Sequence, residues 1–436
     1  MSLDFLTSFR HSTPYIHAHR NRTFVIYFGG ETLLDNGLKQ LVHDFALLNS
    51  LGIRLILVHG IRPQIDAAMQ QQNLPYHFHK QLRITDKAAL DCVKTSAGQV
   101  RLEIEALLSL GVTNSPMENA AIRVVSGNFI TAQPQGVIDG VDYHYTGKVR
   151  RIDSIAIEQQ LALGNIVLIS PIGYSPSGDL FNLSAEHIAT EIAIALQAEK
   201  LILMTEQSCQ STATQQLIPQ MTTDETLRFI ADEPHLELST QCALQSAIQG
   251  CHAGVKRVHI LNRKIEGALL IELFSHDGIG TLISSEKFER LRPASLQDIQ
   301  GILALIKPLE AQGLLIPRSQ AHLEINIQDY SVIERDGLII SCTALHPIKD
   351  SHTGLIACLA VHPDYQKSAR GNQLLQHIFK QAKQQQLTKL FALSTQTMYW
   401  FKERNFTECQ FADLPNHLQN QYNHIRKAKV LCYQLT

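Results

Sequence analysis

Runs of consecutive apolar residues alternate with segments of helical periodicity along the first part of the chain. The run Thr23–Tyr27 ends near a glycine pair, and a helical pattern follows over Leu38–Leu48. A second run, Arg54–Val58, also ends near a glycine and precedes a helical segment at Pro63–Gln72. Apolar runs without alternation are typical of strands buried on both faces, and strands separated by helices favour a parallel sheet. We therefore predict an α/β fold with an open, mostly parallel sheet and helices on both faces.

The same pattern continues as far as residue 283. The chain then becomes polar over Ile283–Arg292, which predicts a domain boundary there, with a linker at residues 284–290. Residues 21–283 form the first predicted domain, and residues 291–436 form a second, smaller α+β domain. The further apolar runs that we predict as strands of the first domain are Ile122–Val125, Ile166–Ile169, Leu201–Thr205, Val258–Leu261 and Ala268–Phe274.

The composition limits the possible classes of function. The chain has 436 residues, 44% of them hydrophobic and 18% charged, and its formal net charge of -2 argues against a basic nucleic-acid-binding surface. No apolar run approaches the roughly 18 residues of a membrane span, and the N-terminus lacks the apolar core of a signal peptide, so we expect a cytoplasmic protein. The eight cysteines include no CxxC pair, which predicts reduced, mostly buried thiols and no metal site.

Two glycine-containing turns follow the first two strands. At Gly29–Gly30 and at Gly60, backbone N–H groups and a helix N-terminus can approach an anion, although a tight turn is the simpler interpretation. Over residues 20–283 the chain resembles the amino-acid kinase family, in particular N-acetylglutamate kinase. Tyr27 replaces the lysine that clamps phosphate in that family, and FNLSAE at 181–186 lacks its aspartate. Because phosphoryl transfer depends on positioned cations and carboxylates, the resemblance implies a kinase fold without kinase activity.

Two segments resemble the arginine site of arginine-inhibited members of that family. One is ELFSHDGIGT at Glu272–Thr281, and the other is the N-terminal helix at residues 1–20, which in such relatives also joins subunits into rings. A carboxylate can pair with a cationic ligand while glycines expose backbone groups to it. The alternatives are that Glu272 is a strand carboxylate with a local partner and that Tyr15 only packs. The effector residues that the resemblance implies are Tyr15, His259, Glu272, Ser275, Gly278 and Gly280.

The second domain opens with a strand ending in Arg-Pro-Ala, then Asp298 within a predicted helix over Leu296–Gln312. Predicted strands near 331–345 and 355–361 lead to the loop QKSARG and a further helix, where backbone N–H groups can bind a pyrophosphate. This combination resembles the GCN5-related acetyltransferase family, with Ala369 replacing a usual glycine of its loop; a solvated basic loop is the alternative. The acetyl-CoA-binding residues that the resemblance implies, among which Lys367 and Arg370 add positive charge, are Leu359, Val361, Gln366, Lys367, Ser368, Ala369, Arg370, Gly371 and Asn372.

The two domains together resemble the bacterial N-acetylglutamate synthase family over nearly the whole chain. The segments that carry the resemblance include FVIYFGGE, RPQIDA, ELFSHDGIGT, ACLAVHPDY and WFKERNF. The resemblance implies acetyl transfer from acetyl-CoA to the α-amino group of L-glutamate, the first step of arginine biosynthesis, with L-arginine as feedback inhibitor. It also implies no metal cofactor and a homo-oligomeric ring such as a hexamer.

Acetyl transfer needs an acceptor for the amine proton and a partner for the departing thiolate. In the family the usual base is a glutamate three residues before the strand cysteine, but here Leu355 stands three residues before Cys358. We expect Cys358 to pack beside the substrate, and the strand 355–361 to diverge from its neighbour and offer N–H groups to the thioester carbonyl. Ser394 is the candidate acid or thiol partner and Tyr399 the second candidate; a strand-end turn hydroxyl is the alternative for Ser394.

The two carboxylates of L-glutamate suit the planar forks of arginine side chains. Arg318 matches a substrate arginine of the family, and Arg426, with Lys427 beside it, matches a second; a surface ion pair is the alternative for either arginine. The departures at Leu355, Ala369 and Ala428 favour another function, a protein that binds arginine or acetyl-CoA but turns over poorly. An acetyltransferase for a different acidic amino acid is a third hypothesis, and a kinase is the last.

Overall fold

The structure, a computed structural model, divides into two compact units, Met1–Glu286 and Lys287–Thr436. It describes residues 2–35, 37–109, 122–211, 214–233, 236–275, 277–286, 289–335, 337–348, 351–366, 370–422 and 426–435. Within these ranges no helix is long and apolar enough to cross a membrane. The same ranges contain no group of three or more His, Cys, Asp or Glu side chains placed to hold a metal ion.

A mostly parallel sheet lies at the centre of the first unit, as the apolar runs predict. The strands of this unit are β1 Thr23–Phe28, β2 Arg54–His59, β3 His77–His79, β4 Leu82–Ile84, β5 Val124–Val125, β6 Ile130–Pro134, β7 Val137–Ile138, β8 Val141–Asp142, β9 Gly147–Ile152, β10 Ile166–Ile169, β11 Ile172–Tyr174, β12 Leu180–Asn182, β13 Lys200–Thr205, β14 Gln220–Thr222, β15 Val258–Asn262 and β16 Thr281–Ser284. The central sheet has the order β14-β16-β15-β13-β1-β2-β10-β5, and its described neighbours are parallel except for β15 and β16. A second sheet has the order β12-β11-β6-β9.

Helices cover both faces of the central sheet, and alternate strand residues enter different cores. The helices of this unit are α1 Ser2–His19, α2 Gly37–Ser50, α3 Arg62–Gln71, α4 Lys87–Ser109, α5 Ser154–Ala162, α6 Ala185–Ala195, α7 Thr223–Asp232, α8 Leu238–His252 and α9 Ala268–Phe274. Val25 and Val58 pack into one core with α5, α6 and α8, whereas Phe24 and Leu57 pack into the other with α2, α3, α4 and α9. The strands are therefore apolar over most of their length because neither face meets water.

One of the predicted strands is wrong. Residues Ala268–Phe274 form helix α9, and the strand that follows along the chain is β16. A short apolar run is compatible with either a strand or a buried helix. The structure resolves the ambiguity because Leu269 and Leu273, four residues apart on one helix face, are both buried. Glu272 is consequently a helix residue and not a strand residue.

The second unit is built on a separate, mostly antiparallel sheet. Its strands are β17 Glu289–Pro293, β18 Tyr330–Arg335, β19 Leu338–Ile348, β20 Thr353–Val361, β21 Lys389–Ser394, β22 Thr407–Cys409 and β23 Lys429–Gln434. They lie in the order β17-β18-β19-β20-β21-β23-β22, in which β20 and β21 are the parallel pair. Its helices are α10 Ile299–Ala311, α11 Gln320–Asn326, α12 Arg370–Gln384, α13 Met398–Lys402 and α14 Asn416–Gln421.

An ion pair explains the Arg-Pro-Ala-Ser-Leu-Gln-Asp opening of this unit. The two terminal nitrogens of Arg292, in β17, donate to the carboxylate of Asp298 at 2.7 and 2.8 Å. The same carboxylate accepts the backbone N–H of Ser295 at 2.7 Å. The hydrogen bond from Arg292 holds the pKa of Asp298 at about 2. The motif thereby fixes the turn that leads from β17 into α10.

The prediction of reduced thiols is wrong for one pair of cysteines. Cys409 in β22 and Cys432 in β23 are joined by a disulfide. These strands are neighbours, and Cys432 lies opposite Thr407, two residues before Cys409. Strand pairing brings the thiols together although 23 positions separate them in the sequence, so no local spacing signals the bond. The other six cysteines are free thiols.

Candidate active site and effector site

The cavity of the second unit lies where two parallel strands separate. β20 and β21 pair as far as Ile356 opposite Ala392, and the described strands do not pair beyond that point, although β20 continues to Val361. The gap between them opens into a cavity of about 580 Å³. The predicted divergence of strand 355–361 from its neighbour is therefore confirmed.

A bulge in β20 shapes one wall of this gap. The register with β19 shifts between Cys342 and Ala344, and Cys358, which lies at the shift, has a φ of 52°. A positive φ is uncommon outside glycine and turns the backbone locally, as bulges do. Alternate N–H groups of a strand point to opposite sides, so those of β20 that face the gap have no partner on β21 among the described residues. Such groups can donate to a thioester carbonyl.

The loop after β20 leads into α12, which begins at Arg370. Its N-terminus offers N–H groups and a partial positive charge, both suited to a pyrophosphate. Gly371 permits close packing here, since a Cβ at this position would stand 3.1 Å from the indole ring of Trp400. The predicted cofactor-binding residues that line the cavity are Leu359, Val361, Gln366, Gly371 and Asn372. Three others, Lys367, Ser368 and Ala369, lie outside the described residues.

The side chain of Arg370 has a different environment from the one expected. It is buried, and its guanidinium Nε donates to the carboxylate of Glu289 at 2.9 Å. A terminal nitrogen also donates to the carbonyl of Tyr365 at 3.0 Å. This charge is neutralised within the fold, so it does not add to the positive potential beside the cofactor phosphates. The backbone N–H of Arg370 still lies at the start of α12.

Ser394, at the end of β21, lines the cavity. Its hydroxyl accepts the backbone N–H of Thr397 at 2.9 Å and lies 2.8 Å from the Thr397 hydroxyl. The hydroxyl therefore forms the strand-end turn that was the alternative interpretation, while its position also suits contact with a ligand. The second candidate, Tyr399, is 72% exposed and is absent from the described cavity wall. Ser394 is the candidate that the structure places at the cavity.

Cys358 also lines the cavity, and its Sγ lies 3.9 Å from the Sγ of Cys342. Contact with Cys342 lowers the pKa of the Cys358 thiol, and the charge of Arg318 lowers it further. The same thiol–thiol contact, together with burial, raises the pKa of Cys342. Both side chains belong to the core that packs beneath α10. The geometry agrees with a packing residue next to the substrate space.

Arg318 and Arg426 reach the cavity from different segments of the chain. Arg318 follows α10 and donates to the carbonyl of Ile316 at 2.8 Å. Arg426, near the C-terminus, donates to the carbonyls of Gly313 and Leu314 at 2.9 and 3.0 Å. Both guanidinium groups line the same space, an arrangement that suits a dicarboxylate.

Lys427 does not share this position. It is exposed, its backbone has a φ of 47°, and it is absent from the described cavity wall, which includes its neighbour Ala428 instead. A left-handed backbone turns successive side chains in different directions. The structure therefore separates Lys427 from the two arginines with which the sequence groups it.

The glycine turns of the first unit surround a much smaller cleft. Its volume is about 90 Å³, and its walls include Tyr27, Gly30, Gly60 and Glu186. The hydroxyl of Tyr27 donates to Glu186 at 2.8 Å, and the hydroxyl of Ser184 donates to the other carboxylate oxygen at 2.9 Å. Burial and the Glu186 carboxylate raise the pKa of Tyr27, so its hydroxyl keeps its proton. A neutral group thus stands where a kinase requires a cation.

Glu272 carries its carboxylate into the interior of the first unit. One oxygen accepts from Nδ1 of His259 at 2.6 Å, and the other accepts the backbone N–H groups of Ile279 and Gly280, both at 2.8 Å. Burial by itself raises the pKa of this carboxyl, but the bonds from His259 and the two amides outweigh it and hold the pKa at about 2. Burial and the nearby Lys200 ammonium lower the pKa of His259.

The close packing around the Glu272 carboxylate explains why ELFSHDGIGT has glycines at positions 278 and 280. Gly278 has a φ of 62°, and a Cβ on it would stand 2.3 Å from a carboxylate oxygen of Glu272. A Cβ on Gly280 would stand 2.2 Å from a methyl group of Leu261. Ser275 supports the turn, since its hydroxyl accepts the N–H of Gly278 at 3.2 Å. A side chain at Gly278 would displace the carboxylate, and one at Gly280 would clash with Leu261.

Helix α1 packs on α9 and brings the two predicted effector segments together. The hydroxyl of Ser12 donates to the carbonyl of Phe274 at 3.2 Å, and Nε2 of His19 lies 2.9 Å from the carbonyl of Leu273. Tyr15 is on the same face of α1, three residues after Ser12, and its ring centre is 6.3 Å from that of His19. Tyr15 therefore lies on the helix face that meets α9.

Known proteins match both units. Residues 22–262 match the amino acid kinase family, and residues 303–405 match the acetyltransferase (GNAT) family. The chain is 47% identical to the amino-acid acetyltransferase of Ectopseudomonas mendocina over 98% of each chain. It is 46% identical to the amino-acid acetyltransferase of Proteus mirabilis over 100% of this chain and 98% of the other. The chain belongs to the amino-acid acetyltransferase family.

Solved structures extend this match. N-acetylglutamate synthase from Neisseria gonorrhoeae, complexed with coenzyme A and L-arginine, is 38% identical over 99% of both chains, with a TM-score of 0.83. The same enzyme complexed with coenzyme A and N-acetyl-glutamate gives a TM-score of 0.64. The resemblance stated from the sequence and the fold class of both domains are confirmed.

Several residues that line the acetyltransferase cavity were not predicted from the sequence. Arg404 lies over Trp400, with its guanidinium carbon 4.0 Å from the ring centre, and its Nε donates to Asn372 at 2.5 Å. Tyr422 donates to the carbonyl of Ala428 at 2.6 Å. All of these residues line the cavity. The four-residue spacing of Trp400 and Arg404 was an available signal, since such residues meet on a helix; no pattern around Tyr422 indicates its position.

Proposed function

We propose that this member of the amino-acid acetyltransferase family transfers the acetyl group of acetyl-CoA to the α-amino group of L-glutamate. The products are N-acetyl-L-glutamate and CoA. The observation that carries the proposal is the cavity between the diverging β20 and β21, with Arg318 and Arg426 in its wall. The names of the relatives and the N. gonorrhoeae complex with coenzyme A and N-acetyl-glutamate support it.

The gap between the strands supplies the contacts that a thioester needs. An extended acyl chain lying there takes backbone hydrogen bonds from β20 in place of β21. Its carbonyl oxygen then lies against N–H groups near the bulge at Cys358, where they stabilise the negative charge that develops when the amine attacks. The pyrophosphate lies toward the start of α12.

The two arginines orient the amino-acid substrate. Arg318 and Arg426 bind its carboxylates through charge-assisted hydrogen bonds, which leaves the α-amino group to face the thioester. When the C–S bond breaks, the thiolate needs a hydrogen-bond donor or a proton. Ser394 at the end of β21 is the candidate, and a positioned acid of this kind contributes about 10²–10⁴-fold.

L-Arginine is the proposed effector, and the site around Glu272 is its proposed binding place. The buried carboxylate there is already satisfied by His259 and two amides, so a guanidinium would have to replace part of that set. Tyr15 on the adjoining face of α1 is a proposed contact. The N. gonorrhoeae complex with L-arginine supports L-arginine as the ligand. We also propose that residues 1–20 join subunits in a homo-oligomeric ring and that the protein is cytoplasmic.

The test is CoA release from acetyl-CoA in the presence of L-glutamate, measured over a pH series with and without L-arginine. Glutamate-dependent release that arginine suppresses is the expected result. Release with another acidic amino acid but not with L-glutamate would contradict the proposed substrate. Release that arginine leaves unchanged at every pH would contradict the proposed regulation while the transferase assignment stands.

A second function, a ligand-binding regulator with little turnover, is favoured by one observation. The described residues that line the cavity include no carboxylate and no imidazole, because Leu355 occupies the position where a base is expected. Calorimetric binding of acetyl-CoA and arginine, together with no glutamate-dependent CoA release, would establish this alternative.

A further inference from the structure

The described residues of the cavity wall include no side chain that can act as a base. The side chains immediately behind this wall belong to the neighbouring strand β19. Leu355 and Ala357 on β20 line the cavity, and their directly opposed partners on β19 are His346 and Ala344. Directly opposed residues of an antiparallel pair share one face of the sheet, with Cβ atoms about 4.5–5.5 Å apart. His346 therefore lies on the substrate side of the sheet, next to the leucine that leaves the cavity without a base.

His346 has the hydrogen bonding of a proton acceptor. Its Nδ1 lies 2.6 Å from a carboxylate oxygen of Asp329, an arrangement in which Nδ1 carries the proton and donates it. Nε2 then carries the lone pair, and it has no hydrogen-bond partner among the described residues. The side chain of His346 is 24% exposed, so water can reach it.

The structure shows which titratable side chains lie around the imidazole of His346. The ring of Tyr330 meets it edge to face with centres 6.0 Å apart, and burial raises the pKa of that phenol, so it stays neutral. His322 on α11 is close enough for His346 to affect it, although burial and then Arg318 are the larger causes of its lowered pKa. Asp329 is thus the anion that faces His346, and Arg318 is a cation that acts on the neighbouring His322.

We propose that His346, held by Asp329, accepts the proton of the substrate α-ammonium group through one bridging water molecule. This inference rests on the proposed acetyl transfer and supplies its missing base. The ammonium N–H bond breaks, its proton passes to the water, and the water gives a proton to Nε2. Asp329 compensates the charge of the resulting imidazolium.

The remaining steps balance without another reactant. The neutral amine forms its bond to the thioester carbonyl carbon, and the C–S bond breaks as the carbonyl is restored. The second amine proton leaves with the CoA thiolate, giving the thiol. The imidazolium returns its proton to solvent, so one proton is released for each acetyl group transferred.

The test compares pH profiles of kcat/KM for L-glutamate in the wild type, His346→Gln and Asp329→Asn. The loss of a general base is expected to lower kcat/KM of His346→Gln by about 10²-fold and to move the acidic limb of its profile to higher pH, because the ammonium must then lose its proton to solvent. Asp329→Asn should lose less activity and keep an acidic limb. His322→Gln, which changes the neighbouring histidine, is the matched control and should keep both rate and limb.

A second change makes the test specific for proton transfer. Leu355→Glu introduced into His346→Gln places a carboxylate directly opposite position 346, and it should restore at least tenfold of the lost activity with an acidic limb at lower pH. Unfolding temperature and acetyl-CoA binding show whether each variant is folded. A folded His346→Gln that keeps the wild-type limb, or a folded double variant without recovery, would overturn the inference. An inactive wild type would instead contradict the proposed function.

Discussion

The cleft of the first unit and the cavity of the second both lie beside the ends of parallel strands, but their polar side chains are used differently. In the cleft of about 90 Å³, Tyr27 and Glu186 bond to each other. In the cavity of about 580 Å³, Arg318 and Arg426 bond to nearby backbone carbonyls and face open space. The kinase-like unit keeps the architecture of a ligand site, but the polar side chains there bond to each other.

The difference predicts where a substitution has its effect. When polar groups satisfy one another inside a fold, removing one of them lowers the free energy of unfolding because its partner is left buried without a bond. When polar groups surround a cavity, removing one lowers ligand binding or turnover with little effect on unfolding. Substitutions of similar size in the two units should therefore separate stability from activity.

The largest expected effect is in the cavity. Arg318→Met keeps the apolar stem and removes the charge, and we expect kcat/KM for L-glutamate to fall about 10²-fold, the equivalent of a strong charge-assisted hydrogen bond. The loss should appear in KM for L-glutamate and not in KM for acetyl-CoA. Lys427→Met, an exposed neighbour of the second arginine, should retain wild-type kinetics. Equal losses of kcat/KM in the two variants would show that Arg318 contributes no more to turnover than an exposed surface residue.

Glu272→Gln should lower the free energy of unfolding by about 2 kcal/mol at pH 7 and abolish inhibition by arginine without changing uninhibited kcat/KM. The folded-state pKa of Glu272 is about 2 and the ordinary value is 4.5, so the carboxylate stabilises the fold fully above that ordinary value. This stabilisation is lost as the pH falls toward 2. Denaturant unfolding at several pH values should therefore show a gap from the wild type that narrows in acid.

The control for this prediction is Glu158→Gln, which changes an exposed carboxylate on α5. Its unfolding free energy should stay within about 0.5 kcal/mol of the wild type at every pH. A Glu272→Gln variant with the same unfolding curve as the control would show that the buried set of hydrogen bonds does not depend on the charge.

The smallest expected effect is in the cleft. Tyr27→Phe removes the hydroxyl that donates to Glu186, and we expect it to lower the free energy of unfolding by about 1 kcal/mol. Acetyl transfer and its inhibition by arginine should not change. Tyr174→Phe, which alters a tyrosine that is 40% exposed, should have no measurable effect on unfolding. A loss of turnover in Tyr27→Phe would mean that the cleft contributes to catalysis after all.

Much of the fold could be predicted because the strands of the central sheet are apolar on both faces. Thr23–Tyr27 and Arg54–Val58 carry that pattern clearly, and both are strands within one residue of the predicted ends. The prediction for Ala268–Phe274 failed because a seven-residue segment with six apolar positions does not distinguish a buried strand from a buried helix. The Cys409–Cys432 bond also could not be foreseen, since it depends on the pairing of two strands.

Site residues that belong to a local sequence motif could be predicted, whereas residues that strand register brings to the site could not. Gln366 and Gly371 were accessible through the loop pattern, and both line the cavity. His346 stands in the unremarkable sequence LHPI, and its position beside Leu355 becomes visible only when β19 and β20 are aligned. Lys427 was grouped with Arg426 because they are adjacent in sequence, but a left-handed turn separates their directions.

The early end of the β20–β21 pairing creates two edges inside an otherwise continuous sheet. Exposed edges are usually a hazard, since they pair with strands of other molecules. Here Trp400 and Phe401 of α13 form part of the wall around the gap, so only a narrow, extended molecule with its own amide groups can complete the ladder. The backbone of β20, and not a side chain, then selects the amide-bearing arm of coenzyme A. Amides of β20 beyond Ile356 that face the gap should exchange with solvent hydrogen quickly in the free protein and slowly once that arm is bound.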